Sequence, residues 1–266
     1  MSALIIIPAR YQSSRYPGKP LVSLTGATGD ALTLIRRSWD AAKAVRGVDS
    51  VFVATDDDRI ADHARAFGAD VVMTSPDARN GTERCAEALR NLAVDPEIVV
   101  NLQGDAPLTP AWFVEDLITG LRGDSGAAVA TPVLQCTGKM RGDLLRDRAE
   151  GRVGGTTAVF GDDMGGLYFS KEVIPYAAGD FAPDQPTPVF HHVGVYAYRP
   201  AALAEYPTWP EGRTEKLEGL EQLRFLENGK RVLCVQVDAK GRQFWELNNP
   251  SDVPVIETMM REMGIA

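Results

Sequence analysis

Near the start of the chain lies a short unbroken apolar run, Leu4-Ile5-Ile6-Ile7 closed by Pro8, and comparable runs recur at Val51–Ala54, Asp70–Met73 and Ile98–Leu102. Short continuous runs of this kind predict strands covered on both faces in a parallel sheet. Between them, Ala31 to Val45, Asp58 to Phe67 and Thr82 to Leu92 carry apolar positions at helical spacing. Strands alternating with helices of this length predict βαβ units and a doubly wound α/β sheet.

The pattern changes after a further strand at Val129–Val133. Gly138 to Gly166 is rich in Gly, Asp and Arg without a long helical period, which predicts irregular structure leading into antiparallel strands. Beyond it, Val189 to Tyr198 alternates as a strand, Glu215 to Glu227 reads as a helix and Arg231 to Val237 as another strand. Pro250, followed by Val253, Ile256, Met259 and Met260, predicts a closing amphipathic helix with Asn249 or Asn248 as its N-cap.

The composition narrows the partners. A formal net charge of -8 in 266 residues argues against nucleic acid, whose phosphate backbone calls for a broad basic footprint. An anionic ligand must then meet a local cluster of cations. The N-terminal apolar run is too short for a leader or a membrane span, so no membrane insertion and a cytosolic location are expected. Cys85, Cys136 and Cys234 form no CxxC pair and read as buried thiols in a reducing compartment.

In open α/β sheets ligands bind beyond the carboxyl ends of the strands, so the segments following each run are where chemistry is expected. The loop Pro8 to Leu21 after the first strand gathers Arg10, Arg15 and Lys19 with the hydroxyls of Ser13 and Ser14. It can wrap a triphosphate with backbone N–H groups while its cations neutralise the oxygens. It matches neither a Walker A nor a GxGxxG loop, which disfavours P-loop and nicotinamide chemistry. The fourth run delivers Gln103-Gly104-Asp105, an acid behind a glycine, suited to Mg²⁺ between phosphates and equally to a turn. Asn80-Gly81-Thr82-Glu83 opens a helix whose N-terminus could seat a base or ribose, or simply form a capping arrangement. His191-His192 in a strand pattern reads as a core and surface couple, and Glu221-Gln222, on spacing alone, as a solvated helix face.

In this order the segments stand as Pro8 to Leu21 (PARYxSxRxPGKPL), Ala54-Thr55-Asp56 to Ile60, Gly81 to Arg84 (GTER), Gln103 to Pro107, Leu167 to Lys171, His192 to Arg199 and Leu220 to Arg224. So ordered across nearly the whole chain, they resemble the 3-deoxy-manno-octulosonate (Kdo) cytidylyltransferases, also called CMP-Kdo synthetases. The resemblance implies a GT-A-like nucleotidyltransferase fold over residues 1–266 as a single domain, with a doubly wound mixed sheet. Within it, an antiparallel excursion at about 138–200 forms the sugar site and homodimer contacts. It implies transfer of CMP from CTP to the anomeric hydroxyl of a Kdo-type sugar acid with release of pyrophosphate, for lipopolysaccharide or capsule precursors. It also implies that Ala9, Arg10, Ser14, Arg15, Lys19, Asn80, Gly81 and Thr82 hold the nucleotide, with Arg15, Lys19 and Asp105 catalytic. Gln103, His192, Tyr196, Glu221 and Gln222 then fall where that family contacts its sugar acid, and Asp105 binds Mg²⁺ together with Asn248 or Glu246.

Three positions depart from the family pattern. Ala106 stands where it has an acid, His191 where it has an arginine, and Asn248 where it has an aspartate that binds metal. Extra length also falls at Thr25 to Asp30. The alternatives left open are a cytidylyltransferase for a sialic-type or amino-substituted sugar acid, and a CTP-binding homologue without catalysis.

Overall fold

The computed structural model describes residues 2–13, 16–242 and 245–266. Its contacts divide the chain into two compact units, Met1–Glu115 with Ala239–Ala266, and Asp116–Asp238.

The first unit contains β1 (Ala3–Ala9), β2 (Ser23–Thr25), β3 (Ala31–Thr33), α1 (Leu34–Lys43), β4 (Ser50–Thr55), α2 (Asp58–Ala66), β5 (Asp70–Met73), α3 (Gly81–Leu92) and β6 (Ile98–Leu102). Helix α4 (Ala111–Gly123) carries the chain past the unit boundary. The sheet runs β5-β4-β1-β6 with every pairing parallel, in registers such as Ile5 opposite Val51 and Val100. The four predicted strands are thus all present. Burial explains the sequences of β1 and β6: Ala3–Ile7 and all of Ile98–Leu102 are buried, as strands covered on both faces require. Strand order reverses between β1 and β6, since β4 and β5 extend from one side of β1 and β6 pairs with the other. That makes the carboxyl ends of β1 and β6 the switch point of the sheet.

The second unit contains β7 (Val129–Thr137), α5 (Gly138–Ala149), β8 (Thr156–Phe160), β9 (Gly166–Ser170), β10 (Pro186–His192), β11 (Val195–Tyr198), α6 (Pro200–Glu205), α7 (Arg213–Glu218), α8 (Gln222–Glu227) and β12 (Val232–Gln236). β7 pairs antiparallel with β10 and β11 and parallel with β12, while β10, β8 and β9 continue as an antiparallel ladder. Antiparallel strands therefore follow the parallel part of the chain.

Two local expectations are corrected here. Residues 138–149 form a helix, not irregular chain. None of its residues is buried, so it shows no apolar period; Thr137 caps it by accepting the Met140 N–H, and Lys139–Asp143 and Asp143–Arg146 pairs line its surface. The single helix expected over 215–227 is two, because Gly219 adopts a left-handed conformation (φ 62°) that ends α7 before α8 begins.

The chain ends in α9 (Val253–Glu262), preceded by a 3-10 turn at Pro250–Asp252 with Asn249 at its N-cap, as expected. Ile256 and Met260 of α9 pack with Leu24, Leu34, Leu108 and Leu247 in one buried cluster. The extra residues 26–30 form the tip of the β2–β3 hairpin. Among the described residues, no helix is long and apolar enough to cross a membrane.

Candidate active site

A cleft opens at the switch point of the first unit, lined by Pro8, Ala9, Arg10, Ser13, Lys19 and Pro20 from the segment after β1, by Ala78, Asn80, Gly81 and Arg84 around the start of α3, and by Gln103-Gly104-Asp105 after β6. At its centre Lys19 Nζ donates to Asp105 Oδ2 at 2.6 Å, with both side chains partly exposed at 15% and 26%. The cation of the first loop and the carboxylate ending β6 converge, as the order of strands and loops predicted.

Asp105 is held from two sides. The Ser38 hydroxyl of α1, fully buried, donates to the Gly104 carbonyl at 3.1 Å. The Leu247 N–H donates to the Asp105 carbonyl at 2.9 Å. Gly104 is required by space, since a Cβ there would lie 2.7 Å from the Pro8 carbonyl oxygen. The turn after β6 thus sits directly on the end of β1.

Asn80 acts as the N-cap of α3, its Oδ1 accepting from Glu83 N at 2.9 Å, while Glu83 Oε2 accepts from Arg79 N. The capping arrangement considered for this segment is therefore present, and it leaves the helix start on the cleft wall. A Cβ on Gly81 would come within 3.2 Å of the Gln103 amide and 3.3 Å of Asn101 Nδ2. Asn101 is fully buried with neither amide atom hydrogen bonded, a polar side chain that the apolar pattern of its strand concealed.

Arg84, which also lines the cleft, is only 3% exposed, 3.3 Å from Asp56 Oδ1 and hydrogen bonded to the Thr74 hydroxyl. Asp56 Oδ1 accepts no aligned N–H, so the contact with Arg84 is ionic. Burial pulls the Arg84 guanidinium below its ordinary pKa, Asp56 opposes that shift, and neighbouring Arg10 adds to it.

The segment carrying Glu246 and Asn248 flanks the Leu247 bond to Asp105. The Asn248 and Asn249 N–H groups donate to Asp252 Oδ2, and Asn248 Nδ2 lies 3.5 Å from Glu246 Oε2. Ser14 and Arg15 lie outside the described residues.

In the second unit, Tyr196 Oη donates to Gln222 Oε1 at 3.0 Å, and the His192 and Tyr196 rings stand 5.7 Å apart. His192 Nε2 is 2.8 Å from the Thr131 hydroxyl, which itself donates to the Val195 carbonyl. Desolvation lowers the His192 pKa to about 3, which keeps the ring neutral. Gln222 is 1% exposed with Nε2 unpartnered, so it is not the solvated residue that its helical spacing suggested; Glu221 precedes it and its carbonyl accepts from Tyr206 Oη. His192, Tyr196 and Gln222 thus form one cluster with Glu221 next in sequence, while Gln103 lines the cleft of the first unit.

The cysteines take no part in either group. All three are buried and free, and desolvation raises Cys136 to about 11 and Cys234 to about 12. Among the described residues no group of three His, Cys, Asp or Glu side chains is placed to hold a metal ion by itself.

A family model described as cytidylyltransferase matches residues 4–232. The chain is also 42% identical over 264 residues to the 3-deoxy-manno-octulosonate cytidylyltransferase of Maricaulis maris, covering 99% of each chain. The chain belongs to the 3-deoxy-manno-octulosonate cytidylyltransferase family. An 8-amino-3,8-dideoxy-manno-octulosonate cytidylyltransferase of Shewanella sediminis is 37% identical to this cytidylyltransferase chain, with 98% and 99% of the two chains covered. Among solved structures, a CMP:2-keto-3-deoxy-manno-octonic acid synthetase complexed with CTP superposes with a TM-score of 0.82 at 32% identity, covering 99% of this chain and 100% of the other.

Proposed function

We propose that this cytidylyltransferase transfers CMP from CTP to the anomeric hydroxyl of 3-deoxy-manno-octulosonate, releasing pyrophosphate. The observation that carries the reading is the Lys19–Asp105 pair at 2.6 Å in a cleft at the switch point of a parallel sheet. Phosphoryl-type transfer asks a protein mainly for positioning and charge neutralisation, and this cleft offers both without a nucleophile of its own.

Arg10 and Lys19 bind the phosphate oxygens, and Lys19 moves its proton-bearing ammonium from Asp105 to the departing pyrophosphate. The start of α3, with Asn80, Gly81 and Thr82, seats the cytidine against Ala9. His192, Tyr196, Glu221 and Gln222 of the second unit are assigned to the sugar acid. The unpartnered Gln222 Nε2 supplies a donor suited to a hydroxyl or carboxylate.

The residues fit Mg²⁺, a hard cation that takes oxygen ligands. Asp105 offers a carboxylate on the cleft wall, and the segment bonded to its backbone brings an amide oxygen at Asn248 and a carboxylate at Glu246. When bound, Mg²⁺ supplies neutralisation of phosphate charge and a lower pKa for the attacking hydroxyl. Homodimer formation through the antiparallel strands of the second unit belongs to the same proposal.

The test is Asp105→Asn in a pyrophosphate-release assay with CTP, Mg²⁺ and 3-deoxy-manno-octulosonate. Loss of turnover with an unchanged circular dichroism spectrum is expected; wild-type turnover in the variant rejects the role. The relative acting on an 8-amino sugar acid favours one second reading, so the assay includes that analogue in competition.

A further inference from the structure

The segment Asp56 to Ile60, which follows β4, is assigned no step in the proposed reaction, yet it reaches the loop that presents the cations. The Arg59 guanidinium carbon lies 3.3 Å from the centroid of the Tyr11 ring. That is face-to-face stacking distance, at which a planar cation meets the negative face of an aromatic ring.

Arg59 is fixed in this pose by Asp57. Its Nε and Nη2 donate to the two Asp57 oxygens at 2.9 and 2.6 Å, a forked pair, and Asp57 Oδ1 also accepts the Arg59 N–H as the N-cap of α2. One carboxylate therefore ties the guanidinium plane to the rigid junction of β4 and α2. The pair lowers the Asp57 pKa and raises that of Arg59, each through the hydrogen bond to the other, so both remain charged.

Tyr11, on the other partner's side, governs the neck of the first loop. Its carbonyl accepts from Gly18 N at 2.8 Å, which ties these two positions together. Gly18 is left-handed (φ 72°), and a Cβ on it would meet the Tyr11 ring at 3.2 Å. The ring therefore lies on the Gly18 backbone. The residues immediately outside this neck are Arg10 and Lys19, both of which line the cleft.

We propose that Arg59 is a positioning residue for the nucleotide: stacked on Tyr11, it latches the neck of the loop and so fixes where Arg10 and Lys19 meet the phosphates. The inference rests on the reading of the cleft as the CTP site. It assigns a specific purpose to an exposed arginine and a half-buried tyrosine that touch no reacting atom.

Steady-state kinetics and proteolysis test it. Arg59→Ala is expected to raise KM for CTP about fivefold, the scale of a lost exposed stacking contact, with KM for the sugar acid and the thermal midpoint unchanged. Arg59→Lys, which keeps the charge without the planar face, falls between wild type and Arg59→Ala. Tyr11→Phe behaves as wild type, while Tyr11→Ala reproduces Arg59→Ala, and combining the two alanines adds nothing further. Nucleotide-free Arg59→Ala protein is cut by trypsin between residues 10 and 19 faster than wild type, scored by mass spectrometry.

Unchanged CTP KM and cleavage rate in Arg59→Ala overturn the latch. So does a parallel rise in both KM values with a lowered thermal midpoint, which marks general destabilisation, and so does additivity of the two alanines. Should wild-type protein release no pyrophosphate, the functional reading fails, and the cleavage comparison, which needs no substrate, still decides the latch.

Discussion

Leu247 and Asp105 are joined main chain to main chain, the N–H of the former donating to the carbonyl of the latter at 2.9 Å. The Leu247 side chain is fully buried among Leu24, Leu34, Leu108, Ile256 and Met260, so the C-terminal packing and the site carboxylate share one anchor. Leu247→Ala is expected to cost about 3 kcal/mol of stability, the ordinary result of deleting a buried leucine side chain. It should also lower kcat, since the segment bracing Asp105 loosens. Urea unfolding with parallel kinetics checks both; full activity in a protein destabilised by that amount would show that the brace does not position Asp105.

Lys19 separates catalysis from stability. Its pair with Asp105 is partly exposed, and exposed or half-exposed pairs contribute at most about 1 kcal/mol. In its proposed role of neutralising the departing pyrophosphate, however, it should be worth about a hundredfold or more in turnover. Lys19→Met is therefore expected to be nearly as stable as wild type and almost inactive. A variant that loses activity only in proportion to its folded fraction would remove Lys19 from the chemistry.

These two residues show which parts of the molecule could be read in the chain. Strands β1 and β6 announce themselves because burial on both faces forces unbroken apolar runs, β4 and the half-exposed edge strand β5 carry shorter runs of the same kind, and in a parallel sheet the loops at their carboxyl ends must share one edge. Lys19 and Asp105 could therefore be paired from sequence. The braces behind them could not. Ser38 and Leu247 look like ordinary members of a helix and a tail, and only the fold brings them to Gly104 and Asp105. Helix α5 escaped notice because a helix with no buried residue has no apolar period, and Gln222 looked solvated because two short helices were read as one. The Tyr11–Arg59 stack joins two motifs that were each visible, but nothing in either reveals the other.

The buried His192 makes stability fall with acid. Desolvation lowers its pKa from 6.5 to about 3, so the native ring stays neutral where the unfolded chain takes up a proton. Below pH 6.5 the unfolded state then binds more protons, and stability declines until the pH reaches about 3, below which this contribution is constant. The slope from one such group is at most about 1.4 kcal/mol per pH unit. Unfolding free energies from pH 7 to 4.5 should therefore fall more steeply for wild type than for His192→Gln, which cannot titrate. Equal slopes would contradict the neutral, desolvated ring.

Gln222 opens the second of two helices that a buried ion pair ties together. Arg224 is fully buried and Glu215 is 4% exposed; Arg224 Nε and Nη2 donate to the two Glu215 oxygens at 2.7 and 2.6 Å, and the guanidinium lies 4.1 Å over the Tyr206 ring. The fork spans the break at Gly219 and so fixes α8, with Gln222 at its start, against α7. A buried pair adds little beyond an apolar substitute, but removing one member strands a charge. Glu215→Gln is therefore expected to cost about 3–5 kcal/mol, while Glu215→Leu combined with Arg224→Met recovers most of that loss. The double variant should nevertheless keep a raised KM for the sugar acid, because apolar packing restores stability without the directional fork that sets Gln222. Recovery of both stability and sugar KM would mean that the fork serves packing alone and has no part in placing Gln222.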